Sequence, residues 1–115
     1  MRRVWWLALV AGMGWAAGRA WPESPALPPA VARGAALYQR DCAACHGVAG
    51  SGAPGAPALD GPRLARDYPS RQALARFIAE NMPASAPGTL SPTMAEDLAR
   101  YLRRLNPAQG APSQL

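Results

Sequence analysis

Both cysteines and the single histidine of this 115-residue chain fall within five consecutive positions, Cys42-Ala43-Ala44-Cys45-His46. Two thiols three apart can each reach one of the two vinyl groups of a porphyrin. A histidine immediately after them lies under the iron, so the pentapeptide reads as a c-type haem attachment site. Two other readings compete for a Cys-x-x-Cys pair. A zinc site needs about four Cys/His ligands, and the whole chain has only these three. A redox dithiol calls for a βαβ context, and no strand pattern occurs in the chain. The dithiol remains the alternative to haem.

The first twenty residues read as an export signal, residues 1–20. Arg2 and Arg3 precede an apolar run from Val4 to Ala17, and Gly18-Arg19-Ala20 places small residues where a signal peptidase reads them. Cleavage is expected after Ala20. The alternative is an uncleaved anchor over residues 4–18, although a bilayer span takes ~20 residues. The basic pI of about 10.2 owes much to this segment. The nine arginines that follow it stand against seven acids, a balance near +2, and form no basic stripe with interleaved aromatics. Nucleic-acid binding is therefore excluded. The cleaved chain of about 95 residues is near the size where apolar burial alone is marginal, so a covalent haem would supply a large apolar body at its centre.

After the signal, residues 21–28 hold three prolines and should be an extended lead. Periodicity then predicts a helix from Pro29 to Asp41, with Val31, Gly34, Ala35, Tyr38 and Cys42 on one face. Gly34 costs such a helix ~1 kcal/mol relative to alanine, which implies close approach of another backbone. Gly47 to Pro62, with five glycines and three prolines, is a loop. Ser70 caps a second helix through Glu80 with Leu74, Phe77 and Ile78 as its apolar stripe. Pro83 ends it near Met82. Ser91-Pro92 opens a third helix to Leu105, striped by Met94, Leu98, Tyr101, Leu102 and Leu105. Residues 107–115 are expected to fray.

Two methionines follow the signal, Met82 and Met94, and either could cap an iron held by His46. Met94 sits on a helix stripe, where methionine is usually core filler. Met82 sits where a helix gives way to a proline-rich loop, the better place to turn a thioether inward. An iron left open on that side is the third possibility. Closure by methionine favours electron transfer and raises the potential, whereas an open site favours binding or activating a small ligand.

From Ala30 to Leu105 the chain resembles a class I cytochrome c of the small bacterial, exported kind. Cys42-Ala43-Ala44-Cys45-His46-Gly47 matches the attachment motif. Gly34 and Tyr38 match the glycine and aromatic of the family's first helix, and Leu98 and Tyr101 match the leucine and aromatic of its last. Pro57-Ala58-Leu59 resembles the turn whose proline carbonyl accepts the proton of the ligand imidazole and whose leucine packs on the haem. Asn81-Met82-Pro83 with Pro87-Gly88-Thr89-Leu90-Ser91 resembles the axial-methionine loop. A tryptophan that some members place near the propionates has no counterpart, since Trp21 lies outside the core; Arg63, Tyr68 and Arg71 are candidates for its place.

The resemblance implies an all-α cytochrome c fold over residues 29–106, three main helices and loops enclosing one covalent haem. Cys42 and Cys45 would attach it, His46 and Met82 would bind iron, Pro57 would orient His46 and Leu59 would pack on the ring. It implies a periplasmic or otherwise exported electron carrier with redox partner proteins, a dehydrogenase donor and an oxidase or other cytochrome acceptor, and no substrate turnover of its own. Membrane association would arise only from an uncleaved N-terminal segment. Two other roles fit the same residues: the haem-bearing subunit of a periplasmic dehydrogenase complex, and a gas-binding or peroxidatic haem protein.

Overall fold

The structure, a computed structural model, describes residue 18 and residues 26–106. The expected signal, residues 21–25 of the proline-rich lead and the C-terminal tail 107–115 lie outside the described residues. Among the described residues there are five helices: α1 (Pro29–Asp41), α2 (Ala43–His46), α3 (Pro62–Asp67), α4 (Arg71–Asn81) and α5 (Pro92–Leu105). No strand occurs among them, only an isolated antiparallel bridge between Ala53 and Ala56. The all-α fold expected from the sequence is therefore the fold observed.

The three long helices begin and end where local chemistry places them. Proline occupies the first position of α1 and α5, where its missing N–H costs nothing. Ser70 and Ser91 accept hydrogen bonds from the backbone N–H groups of Ala73 and Met94, at 3.0 and 3.2 Å, and so satisfy donors that a helix start leaves free. Helix α4 runs one residue past Glu80, to Asn81, and Met82 is its C-terminal boundary in extended geometry. Two short helices were not anticipated. Helix α2 is a single turn built on the Cys-x-x-Cys-His pentapeptide, and α3 follows the glycine-rich loop. Helices of four and six residues carry too little apolar periodicity to register in a sequence.

Helices α1 and α5 pack directly against each other at Gly34. Gly34 is buried there, and a Cβ added to it would overlap the backbone carbonyl oxygen of Asp97 and come within 2.9 Å of the Tyr101 Cβ. The expected close approach at Gly34 is thus the crossing point itself. Beside it Tyr38 is fully buried and its ring lies 5.4 Å from that of Tyr101, within the range of favourable aromatic contact. Leu98 is 1 % exposed and Leu102 4 %, and each such leucine contributes roughly 1.5–3 kcal/mol by burial. Helix α4 adds Leu74, Ala75 and Ile78 to the same core. Phe77, expected on that stripe, is half-buried and stacks at 4.9 Å on Tyr68.

A buried acid, Asp97, also lies at this crossing, 3 % exposed. It receives Arg33 Nε from α1 at 2.7 Å and has Arg100 Nη1 at 3.6 Å. A buried carboxylate without partners would be costly. The two guanidinium groups compensate it, and Arg33 ties α1 to α5 from the outside.

Candidate functional site

The pentapeptide occupies the turn after α1. The N–H groups of Cys45 and His46 both donate to the Cys42 carbonyl, at 3.2 and 2.9 Å, and that of Gly47 donates to Ala43 at 2.8 Å. Positions 42, 45 and 46 stand at i, i+3 and i+4 on this single turn, so their side chains share one face. Cys42 is half-buried and Cys45 exposed, and neither is in a disulfide. Burial pushes the Cys42 thiol up to about 11, with Asp41 and Cys45 adding to the effect.

His46 is 8 % exposed. Its Nδ1 lies 2.8 Å from the carbonyl oxygen of Pro57. A carbonyl can only accept, so Nδ1 carries the proton and the lone pair is on Nε2. No hydrogen-bond donor among the described residues reaches Nε2. A buried ring with one nitrogen fixed and the other left as a base is the arrangement a metal-ligating histidine requires.

The loop that carries Pro57 is held to the turn by backbone bonds. Gly52 N–H donates to the His46 carbonyl at 2.8 Å and Leu59 N–H to that of Gly50 at 2.6 Å. Gly52 has φ +86°, and a Cβ there would sit 2.8 Å from the backbone nitrogen of Ala58; only glycine meets both demands. From α1, the Tyr38 hydroxyl donates to the Gly47 carbonyl at 2.6 Å. Burial pushes the Tyr38 phenol up to about 12. A folded-state pKa above the ordinary value of about 10 means that its stabilising effect is complete below pH ~10 and is lost as pH rises through about 12. Tyr38→Phe should cost about 1–2 kcal/mol at neutral pH and flatten the loss of stability above pH ~10; denaturant unfolding of both forms at neutral and alkaline pH checks this.

These elements enclose a cleft of about 550 Å³, lined by Cys42, Cys45 and His46 from the turn, Pro57 and Leu59 from the loop, and Met82 with Pro83 from the end of α4. Leu64, Leu74, Ile78, Leu98 and Leu102 complete an apolar interior. The sequence-predicted site residues, dispersed over forty-one positions from Cys42 to Met82, thus line one cavity. Met82 is half-buried in it; Met94 packs on the core and does not line it. Of the three candidates for the missing tryptophan's place, Arg63 and Tyr68 line the cleft. Arg71 does not; its Nε is 3.1 Å from Glu96. Among the described residues no cluster of three or more His, Cys, Asp or Glu could hold a metal ion. The donors and the apolar walls fit a flat, hydrophobic group with a metal at its centre: two thiols and an imidazole whose Nδ1 is taken up by Pro57 on one turn, and a thioether on another element.

Sequence reasoning missed one contributor. Asn106 stands just past the last residue of α5. It is 8 % exposed, and its amide donates to the Leu59 carbonyl at 2.7 Å and the Leu102 carbonyl at 2.9 Å. Nothing in the sequence marks a partner forty-seven positions away.

No curated protein and no solved structure matches the chain. The family model described as cytochrome C oxidase, cbb3-type, subunit III matches residues 29–102. That span runs from the start of α1 to Leu102, the last buried leucine of α5, and contains the cysteines, the histidine, the loop that holds it and Met82. Family and geometry converge on a domain built to hold haem for electron transfer, and the chain belongs to this cbb3-type family of class I c-type cytochrome domains.

Proposed function

We propose that the domain, residues 29–106, holds one haem c through thioether bonds from Cys42 and Cys45, with His46 and Met82 as axial ligands, and passes single electrons between redox partner proteins outside the cytoplasm. Bound there, the haem supplies reversible one-electron chemistry at iron. The protein's own part is to fix the ligands, exclude water and set the potential. The observation that carries this reading is the His46 ring held by Pro57 in a cleft that also takes Met82. Pro57 keeps the proton on Nδ1 and so keeps Nε2 basic. Leu59 and the leucines of α5 supply apolar walls, which disfavour the more highly charged oxidised state and add to the effect of a neutral thioether.

Export is supported by the composition of residues 1–20 and by the need to attach haem outside the cytoplasm. No helix among the described residues is long and apolar enough to cross a membrane; anchoring would fall to residues 4–18. A second reading, a haem-bearing subunit fixed within an exported oxidoreductase, is favoured by the family's description as an oxidase subunit. Co-purification of the chain with a catalytic partner separates it from a diffusing shuttle, whose association with partners should be weak and transient.

The test is the absorption spectrum of the purified protein, oxidised and reduced, with haem assayed after denaturation. Haem that stays with the chain, a low-spin spectrum in both states and no reaction of the reduced form with carbon monoxide at neutral pH are expected. Haem that washes out removes the covalent assignment. Carbon monoxide binding indicates an open sixth position and the gas-binding or peroxidatic role.

A further inference from the structure

Asn106 stands outside the ligand set and outside the cleft lining, yet it is buried and uses both hydrogens of its amide. One goes to the Leu102 carbonyl, an acceptor that the end of α5 leaves free. The other crosses to the Leu59 carbonyl, on the loop that orients His46. From there the connection to the ring is short. Leu59 lies two residues from Pro57, whose carbonyl takes the His46 Nδ1 proton, and Leu59 N–H closes the loop on Gly50. Among the described residues Asn106 is thus the one side chain that joins the end of α5 to the His46-orienting loop by a hydrogen bond.

We propose that Asn106 is a positioning residue for the axial histidine: it clamps the Pro57–Leu59 loop so that the Pro57 carbonyl stays on Nδ1, and through that bond it holds down the reduction potential. This rests on His46 being an iron ligand. The chemistry has a direction. A hydrogen bond accepted from Nδ1–H makes Nε2 a stronger donor to a metal, which stabilises the oxidised state. A loosened loop weakens that bond and moves the potential upward.

The two acceptors also dictate the residue. Both are carbonyl oxygens, so the position needs two donors on one short side chain. Aspartate has the same shape and no donors when ionised; it would place its oxygens against two carbonyls. Leucine keeps the volume and leaves both carbonyls unsatisfied.

The experiment compares holoprotein carrying Asn106→Asp, Asn106→Leu or Asn106→Gln with Asp97→Asn, a buried change at the α1–α5 crossing away from the loop. Measured are the reduction potential and, by proton NMR, the His46 Nδ1–H resonance and its exchange with solvent. In the wild type that resonance should be shifted by the oxidised iron; its lying at the position of a free imidazole would remove His46 ligation itself, separately from the clamp. The Asn106 variants should raise the potential and speed Nδ1–H exchange about tenfold, the equivalent of about 1.4 kcal/mol of lost loop closure. The glutamine, with its amide displaced by one methylene, should fall between wild type and leucine, and supplies the readout if the other two yield no holoprotein. Asp97→Asn should lower the melting temperature and leave both signals unmoved. The proposal is overturned if the Asn106 variants lose stability with potential and exchange unchanged, or if Asp97→Asn moves both signals as far as they do.

Discussion

Gly34→Ala should destabilise the protein by about 3 kcal/mol or more, at the upper end of what overpacking a core costs. The sign is the informative part. Alanine inside a helix is ordinarily better than glycine by ~1 kcal/mol, so propensity alone predicts a gain. Packing predicts the opposite, because the new methyl would overlap the Asp97 carbonyl oxygen and press on the Tyr101 Cβ. The first obstacle is backbone within a formed helix and has no alternative rotamer to adopt. Relief requires α1 and α5 to move apart, which would loosen the contacts of Tyr38 and Leu98, the largest fully buried side chains. A domain is stabilised by only about 5–15 kcal/mol in total, so the loss should be plain in the denaturant midpoint of the holoprotein. A midpoint equal to or above wild type would show that the two backbones are not in contact at Gly34.

Met82→Ala should lower the reduction potential and abolish the sulfur-to-iron charge-transfer band of the oxidised protein. The thioether is a neutral ligand that favours ferrous iron. Its removal from the cleft leaves a small apolar side chain and room for water or carbon monoxide. Axial ligands set haem potentials over a range of about 0.8 V, so the shift should dominate any effect of a surface change. Met94 provides the control. It packs on the core and lies outside the cleft lining, so Met94→Leu should keep the band and the potential. Survival of the band in Met82→Ala would remove Met82 as ligand.

The two results concern opposite kinds of feature. As a ligand, Met82 would work by chemistry at its own atom. Its place in the sequence, at the end of a helix and before a proline, already pointed to a thioether turned inward. Helix α4 ends there because Pro83 disfavours helical geometry in the residue before it, and the observed extended backbone at Met82 follows. The loop beyond is braced by Ala86 N–H on the Pro83 carbonyl at 2.9 Å and Thr89 Oγ1 on Ala86 at 2.8 Å. Gly34 works by lacking an atom. Its position on the buried stripe suggested close approach, but the partner, a carbonyl on α5, came only from the fold.

The long helices were legible because their signals are local: apolar residues at a period of 3.6, serine caps and prolines at first positions. The Cys42-Ala43-Ala44-Cys45-His46 turn was legible because the chemistry of one cofactor imposes its spacing. The short helices α2 and α3 were not, since four and six residues are too few to show a period. Asp97 and Asn106 were not legible either. A lone Asp on a helix and an Asn just past its end are ordinarily solvated, and what distinguishes these two is the burial each undergoes and the partner each finds on a distant element.

By itself the sequence determined the class of helix bundle, the attachment turn, the ligand candidates and the family resemblance, all of which depend on spacings of a few residues. Tertiary structure alone decided that Arg63 and Tyr68 border the cleft while Arg71 pairs with Glu96, that Arg33 compensates a buried Asp97, and that Asn106 donates to the Leu59 carbonyl. The physical reason is common to all three. A hydrogen bond or ion pair between residues far apart in the chain is set by how helices cross, and that crossing is the sum of many weak packing contacts that no single stretch of sequence records.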